Sequence, residues 1–125
     1  LRDDTTDVLL RGRHYDLAAV FDRVNRTHFA GRLDRPRLVW SSAHTRRTMG
    51  RFEPTNDTVV LSVTLDDPGV PTYVVDFVMY HELLHRVLGA PIVNGRTRAH
   101  TAEFRRREAA FPDYARARRW LDTRK

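Results

Sequence analysis

The sequence predicts a single α+β domain, with an N-terminal helix, a small three-stranded, mainly antiparallel sheet, a buried helix and C-terminal helices. Its 125 residues suffice for one domain with a core of its own. One stretch alternates as a strand does, and the stretches on either side of it have helical periodicity. We assign residues 1–14 to a loose N-terminal leader and residues 15–125 to the domain.

The composition excludes several kinds of site. The chain has no cysteine, which excludes disulfides, thiolate nucleophiles and cysteine-bound metals, so any metal must be held by His, Asp or Glu. No apolar run approaches the 18 residues that indicate a membrane span, and the polar first residues do not resemble a signal peptide. We therefore expect a cytoplasmic protein with no membrane partner. The sequence leaves its oligomeric state open.

The positive charge is concentrated at the C-terminal end. The chain has 22 basic and 16 acidic residues, and residues 96–125 contain 10 of the basic and only 4 of the acidic ones. Such a region is either a solvated helix face or a surface that could bind DNA.

The first helix is predicted over residues 15–29. Apolar side chains recur there at helical spacing from Leu17 to Val24. Asp16 is a suitable N-cap, and the Ala30-Gly31 step is a suitable end.

Three strands are predicted over residues 38–41, 48–52 and 58–65. The third has the clearest alternation, whereas the second is weakened by a glycine. Residues 53–57 have the composition of a turn, so the second and third strands should form a hairpin. We expect one face of this sheet to pack on the core.

A long helix is predicted over residues 73–88. It is apolar around most of its circumference, which indicates a buried helix, and Gly89 and Pro91 should end it. Residues 92–99 read as an irregular Arg-rich loop. Phe104, Glu108 and Phe111 then predict another helix, and residues 114–121 a last one.

The buried helix contains the motif His81-Glu82-Leu83-Leu84-His85. Two histidines four residues apart project from one helix face, so both can reach one ion. Glu82 can then accept a proton from a water whose pKa the ion has lowered. The alternative is a pair of hydrogen-bonded core histidines beside an ion-paired Glu82.

A catalytic zinc also needs a third protein ligand and one open position. His100 is the preferred candidate because imidazole suits zinc and because it precedes a predicted helix. Glu103 is the alternative ligand, or a residue that orients a ligand through a hydrogen bond.

Three stretches resemble the SprT-like (Spartan-related) family of zinc metallopeptidase domains: residues 24–33 with 38–40, residues 47–52 with 59–62, and residues 77–86 with 100–104. The resemblance covers residues 17–113 and implies a zincin-like fold. It also implies that His81, His85 and His100 bind Zn²⁺ and that Glu82 is the catalytic carboxylate. Many members have Gly directly after the third histidine, where this chain has Thr101.

We therefore expect a zinc metalloendopeptidase of the HExxH type that hydrolyses peptide bonds of protein or peptide substrates. A substrate could add a strand to the sheet, at residues 58–65. The resemblance also allows DNA-associated substrates. The alternatives are an Arg-rich nucleic-acid-binding module and a zinc-bound interaction domain without catalysis.

Overall fold

The computed structural model describes residues 11–42, 49–90 and 92–123, and it confirms the predicted fold class. Its helices are α1 (Leu17–His28), α2 (Thr72–Leu88), α3 (Ala102–Ala109) and α4 (Tyr114–Asp122). Its strands are β1 (Arg37–Ser41), β2 (Gly50–Glu53), β3 (Thr58–Ser62), β4 (Ile92–Val93) and β5 (Arg96–Thr97).

Helix α1 begins and ends at the predicted signals. The Asp16 side chain accepts a hydrogen bond from the backbone N–H of Ala18, which caps the first turn. Ala30 and Gly31 have φ angles of 55° and 70° and turn the chain away from the helix. The apolar stripe of α1 is buried and packs on α2.

The three-stranded sheet is mixed, with the order β1-β3-β2. Strands β2 and β3 form the predicted antiparallel hairpin, closed by a 3₁₀ turn over Pro54–Asn56. Strand β1 pairs with the other edge of β3 in parallel, with Leu38 opposite Val59. The expectation of a mainly antiparallel sheet therefore holds for the hairpin only. Strands β1 and β2 lie at opposite edges of the sheet and run in opposite directions, and β3 lies between them antiparallel to β2, so it is parallel to β1.

Strand β3 is shorter and more buried than predicted. All five of its residues are buried, so both faces of the strand are covered and not one. It ends at Ser62, whose hydroxyl accepts a hydrogen bond from the N–H of Thr64. This bond caps a 3₁₀ turn over Val63–Leu65 where the sequence predicted more strand.

Helix α2 is the central element of the domain. It contacts α1, β2, β3, α3 and α4, which confirms the expectation of a buried helix. It ends at Gly89, whose φ of 69° few other residues tolerate. The second predicted stop, Pro91, lies outside the described residues.

The expectation of an irregular loop over residues 92–99 is wrong, because the chain forms a second hairpin there. Strands β4 and β5 are antiparallel and are joined by Asn94 and Gly95, with φ angles of 53° and 77°. Two consecutive positive φ angles are typical of the tight turn for which Asn-Gly is the strongest short-range signal. The hairpin sends the chain out from the end of α2 and back towards it.

Residues 1–10 of the predicted leader lie outside the described residues. From Gly12 onward the chain is attached to Asp66, whose carboxylate accepts hydrogen bonds from the backbone N–H groups of Arg13, His14 and Tyr15 at 2.6–2.8 Å. A Cβ atom on Gly12 would lie 2.2 Å from Asp66 Oδ2, so any other residue there would displace the carboxylate from its three donors. We call residues 12–15 together with Asp66 the Asp66 anchor.

No helix within the described ranges is both long and apolar enough to cross a membrane.

Candidate metal centre

His81 and His85 lie one turn apart on α2 and face the same side of it. Their Nε2 atoms are 3.2 Å apart. Both side chains are only partly buried, because this face of α2 borders a cleft. The motif therefore has the same-face geometry that its spacing predicts.

His100 reaches the same point from outside α2. It follows the second hairpin, and its Nε2 atom lies 3.2 Å from Nε2 of His85. The next residue, Thr101, is the N-cap of α3, and its hydroxyl accepts a hydrogen bond from the N–H of Phe104. Thr101 has a φ of −75°, so this position does not need the glycine that many SprT-like proteins have there.

The three imidazoles fit a zinc ion. Their ligand atoms all lie within 4.8 Å of one another. In a tetrahedral site with Zn–N bonds of about 2.0–2.1 Å, two ligand nitrogens are about 3.3 Å apart. The Nε2 atom of His85 lies 3.2 Å from that of His81 and 3.2 Å from that of His100, and both distances match that separation. The donor set also suits the metal, because neutral imidazole is a preferred zinc ligand.

Phe104 packs against all three rings. It is 1% exposed, and its ring centroid lies 5.1, 4.5 and 4.9 Å from those of His81, His85 and His100. An apolar ring in this place restricts how the imidazoles can turn, because a close-packed neighbour limits their rotamers. The sequence indicated Phe104 only as a helix residue.

Burial keeps two of the imidazoles in the form that binds metals. Burial, assisted by positive charge on His81 and His100, lowers the pKa of His85 to about 4. Burial is also the main cause of the lowered pKa of His100. A neutral imidazole has a free nitrogen lone pair, which is the form a metal ion requires.

Glu82 lies beside the three histidines and is 5% exposed. Burial raises its pKa to about 7, a change that positive charge on His81 opposes and the Glu108 carboxylate reinforces. A carboxyl group with a pKa near neutrality can both accept and return a proton at neutral pH.

Glycine at position 50 allows β2 to approach α2 closely. A Cβ atom there would lie 3.0 Å from Val78 Cγ1, 3.1 Å from the Val60 carbonyl oxygen and 3.3 Å from Glu82 Cγ. The glycine that weakened the strand prediction thus has a packing reason. Residues 50–52 of β2 form one wall of a cleft of about 490 Å³, and the three histidines and Glu82 line the same cleft.

The two acidic residues of α3, Glu103 and Glu108, lie at different distances from the histidines. Glu103 is exposed in the first turn, and it is not among the groups close enough to share an ion with the histidines. Glu108 was assigned only to a helix, yet its Oε2 atom lies 2.5 Å from Nδ1 of His81. The signal for it was the four-residue spacing of His100, Phe104 and Glu108, which puts a carboxylate on the apolar side of a helix.

No family model matches the chain, and no curated protein or solved structure is significantly similar to it.

Proposed function

We propose that the protein is a zinc-dependent metallopeptidase of the HExxH type that hydrolyses peptide bonds of protein substrates. In this proposal His81, His85 and His100 hold Zn²⁺, and Glu82 is the catalytic carboxylate. One observation carries it: the ligand nitrogens of the three histidines lie within 4.8 Å of one another, and Nε2 of His85 is 3.2 Å from Nε2 of both His81 and His100, close to the spacing in a tetrahedral zinc site. The cleft beside them also contains the buried Glu82.

In the proposed hydrolysis the metal ion and Glu82 have different roles. His81, His85 and His100 would hold the zinc ion, which would supply a Lewis acid that polarises the substrate carbonyl and lowers the pKa of a water molecule. The carboxylate of Glu82 accepts the proton of the attacking water and passes it to the nitrogen of the leaving amine. His85 and His100 remain neutral because burial lowers the pKa of each.

The substrate would bind along β2 and not along residues 58–65. Strand β3 is the central strand and pairs with a neighbour on each side, so the expectation that it receives an added strand is wrong. Within the described residues β2 pairs with β3 alone, and β2 borders the cleft. Added strands bind to such edges through backbone hydrogen bonds. The N–H groups of Gly50 and Phe52 face away from β3, because hydrogen-bonded pairs alternate along the hairpin from Met49 opposite Ser62. Slower amide exchange at Gly50 and Phe52 on adding a substrate analogue supports this placement, and unchanged exchange contradicts it.

Metal analysis of the purified protein tests the metal centre. We expect about one zinc per chain in the wild type and in Glu103→Ala. His100→Ala should bind zinc roughly a hundredfold more weakly. Structural zinc sites with four protein ligands bind the ion with a free energy of about 10–16 kcal/mol, which is about 3 kcal/mol for each ligand. Equal zinc contents in wild type and His100→Ala would contradict the assignment of His100. No zinc in the wild type would contradict the metal centre itself.

The second candidate is nucleic-acid binding by the basic C-terminal region. Arg105, Arg106 and Arg107 of α3 form no ion pair within the part of the chain that the structure describes, whereas Arg116 and Arg118 of α4 pair with Asp113 and Asp122. Unpaired arginines on α3 favour an anionic partner such as DNA. Affinity that falls steeply with salt would support this, and weak binding independent of salt would contradict it.

A cytoplasmic location stays a prediction of the sequence. Fractionation of cells that express the chain tests it.

A further inference from the structure

Helix α3 is bonded to α2 at two consecutive positions. The hydroxyl of Tyr80 donates a hydrogen bond to the carbonyl oxygen of Arg107 at 2.7 Å. One residue further on, Nδ1 of His81 lies 2.5 Å from Oε2 of Glu108. The side chains of His81 and Glu108 are 22% and 13% exposed, so water competes little for this second contact.

The chemistry of the pair determines where the proton of His81 lies. An ionised carboxylate only accepts hydrogen bonds, and a neutral imidazole has one N–H group. The hydrogen bond to Glu108 therefore places the proton on Nδ1 and leaves the lone pair on Nε2. That is the atom that lies 3.2 Å from Nε2 of His85 and faces the cluster.

We propose that Glu108 is a positioning residue, which holds His81 in the Nδ1–H form with its Nε2 lone pair directed at the metal and so sets the zinc affinity. The inference rests on the metal centre of the proposed function and not on peptide hydrolysis. Helix α3 would then contribute to the site at both of its ends. Its N-terminal end follows the proposed ligand His100, and near its C-terminal end Glu108 orients the proposed ligand His81.

A role restricted to docking α3 is a weaker explanation of this contact. The helix is already attached to α2 by the Tyr80–Arg107 hydrogen bond, and Phe104, at 1% exposed, is buried beneath the histidines. Carboxylates that accept from the far nitrogen of a metal-bound histidine fix the ring and increase its basicity.

The first measurement is zinc affinity, determined by competition with a chromogenic chelator. Loss of such a carboxylate typically weakens metal binding 10–100-fold. We expect a weakening of roughly that size for Glu108→Ala and a smaller one for Glu108→Gln, because the amide still has an accepting oxygen. Glu103→Gln is the matched control on the same helix and should remain within about twofold of wild type, because Glu103 lies outside the cluster.

The second measurement uses the zinc-free protein, so it is independent of the metal. ¹⁵N NMR of the histidine side chains should show the Nδ1–H form for His81 in the wild type and a shift towards the Nε2–H form in Glu108→Ala. Glu108→Leu has a similar volume and no accepting atom, so it keeps the test valid if the alanine variant unfolds. A purely structural contact would change the unfolding temperature without changing the tautomer.

The outcomes separate this inference from the proposed function. An unchanged tautomer with zinc affinity within about twofold of wild type in Glu108→Ala, or in Glu108→Leu if the alanine variant unfolds, would overturn the role of Glu108. If the wild type binds no zinc, the metal centre and the effect of Glu108 on zinc affinity both fall, and the NMR measurement still decides whether Glu108 fixes the tautomer. If zinc binds but no peptide is hydrolysed, only the peptidase proposal fails.

Discussion

Two carboxylates, Glu108 beside the cluster and Asp66 in the Asp66 anchor, use hydrogen bonds for different purposes. Both accept from residues far away in the chain, and both have a lowered pKa although burial alone would raise it. Asp66 accepts from three backbone N–H groups, which almost any residue can offer. Glu108 accepts from an imidazole whose other nitrogen faces the cluster. A bond to the backbone fixes the chain, whereas a bond to a histidine also changes what that histidine can bind.

The two regions also differ in how favourable the contacts between their polar groups are. The anchor gives its carboxylate three donors within 2.8 Å. The cleft brings three imidazole nitrogens together and buries Glu82 beside them, which is unfavourable without a cation or protons between them. Functional sites commonly contain such arrangements, which lower the stability of the folded protein. The comparison predicts that changes in the cleft alter activity, and that changes in the anchor alter stability alone.

The largest effect is expected for Glu82→Gln. Peptide hydrolysis should fall about 10²–10⁴-fold, since the variant cannot transfer the proton, while zinc affinity stays within about twofold. Steady-state kinetics with the zinc-loaded proteins measure this. Equal hydrolysis by wild type and variant would instead favour a zinc-bound domain without catalysis.

The same variant should change the pH dependence of stability in the presence of a chelator. The pKa of Glu82 is raised from 4.5 to about 7 in the folded protein, so the unfolded chain ionises first as pH rises. The wild type should therefore lose stability relative to Glu82→Gln between about pH 4.5 and 7. Urea unfolding of both proteins across this range tests the sign. A difference that stays constant with pH would contradict the burial of this carboxylate.

Gly50→Ala should have an intermediate effect and act on both properties. The added methyl group would meet Val78, the Val60 carbonyl and Glu82, which predicts a loss of about 1–3 kcal/mol of stability together with lower activity. The control is Gly69→Ala, where the nearest atom is an exposed carboxylate oxygen of Asp67. Equal unfolding midpoints for Gly50→Ala and wild type would show that β2 lies further from α2.

The smallest effect is expected for Asp66→Asn, which should cost about 1 kcal/mol of stability at neutral pH and leave zinc affinity and hydrolysis unchanged. Burial raises the pKa of Asp66, but the hydrogen bonds from Tyr15, His14 and Arg13 outweigh it and lower the pKa. The carboxylate thus stabilises the fold above its ordinary pKa, and this contribution is lost as the pH falls through the lowered value.

Asp22→Asn is the control for that measurement, because Asp22 is exposed on α1. A difference between wild type and Asp66→Asn that persists in acid would contradict the role of the three donors. Lower hydrolysis in Asp66→Asn would contradict the prediction that changes in the Asp66 anchor alter stability alone.

Most of the fold that depends on local signals was predictable. The cap at Asp16, the end of α2 at Gly89 and the hairpin between β2 and β3 each depend on a few neighbouring residues. The second hairpin was missed although Asn94-Gly95 is a strong local signal, because its strands have only two residues each. The parallel pairing of β1 has no local signal, since β1 pairs with a strand about twenty residues further along the chain and not with the next strand.

The candidate site shows the same limit. The spacing of His81 and His85 follows from helix geometry, and the choice of His100 over Glu103 agrees with the cluster in the structure. The contact between Glu108 and His81 could not be derived, because it depends on how α3 crosses α2. A helical periodicity indicates which residues face inward, but it does not identify their partners.

The tight turn at Asn94 and Gly95 bears on how many residues can separate His85 from His100 along the chain. Adding one residue to each strand of an antiparallel hairpin moves its tip outward and leaves its two ends in register. Relatives with longer insertions between these two histidines could thus keep the same coordination geometry. The number of residues between them is a poor criterion for recognising such proteins.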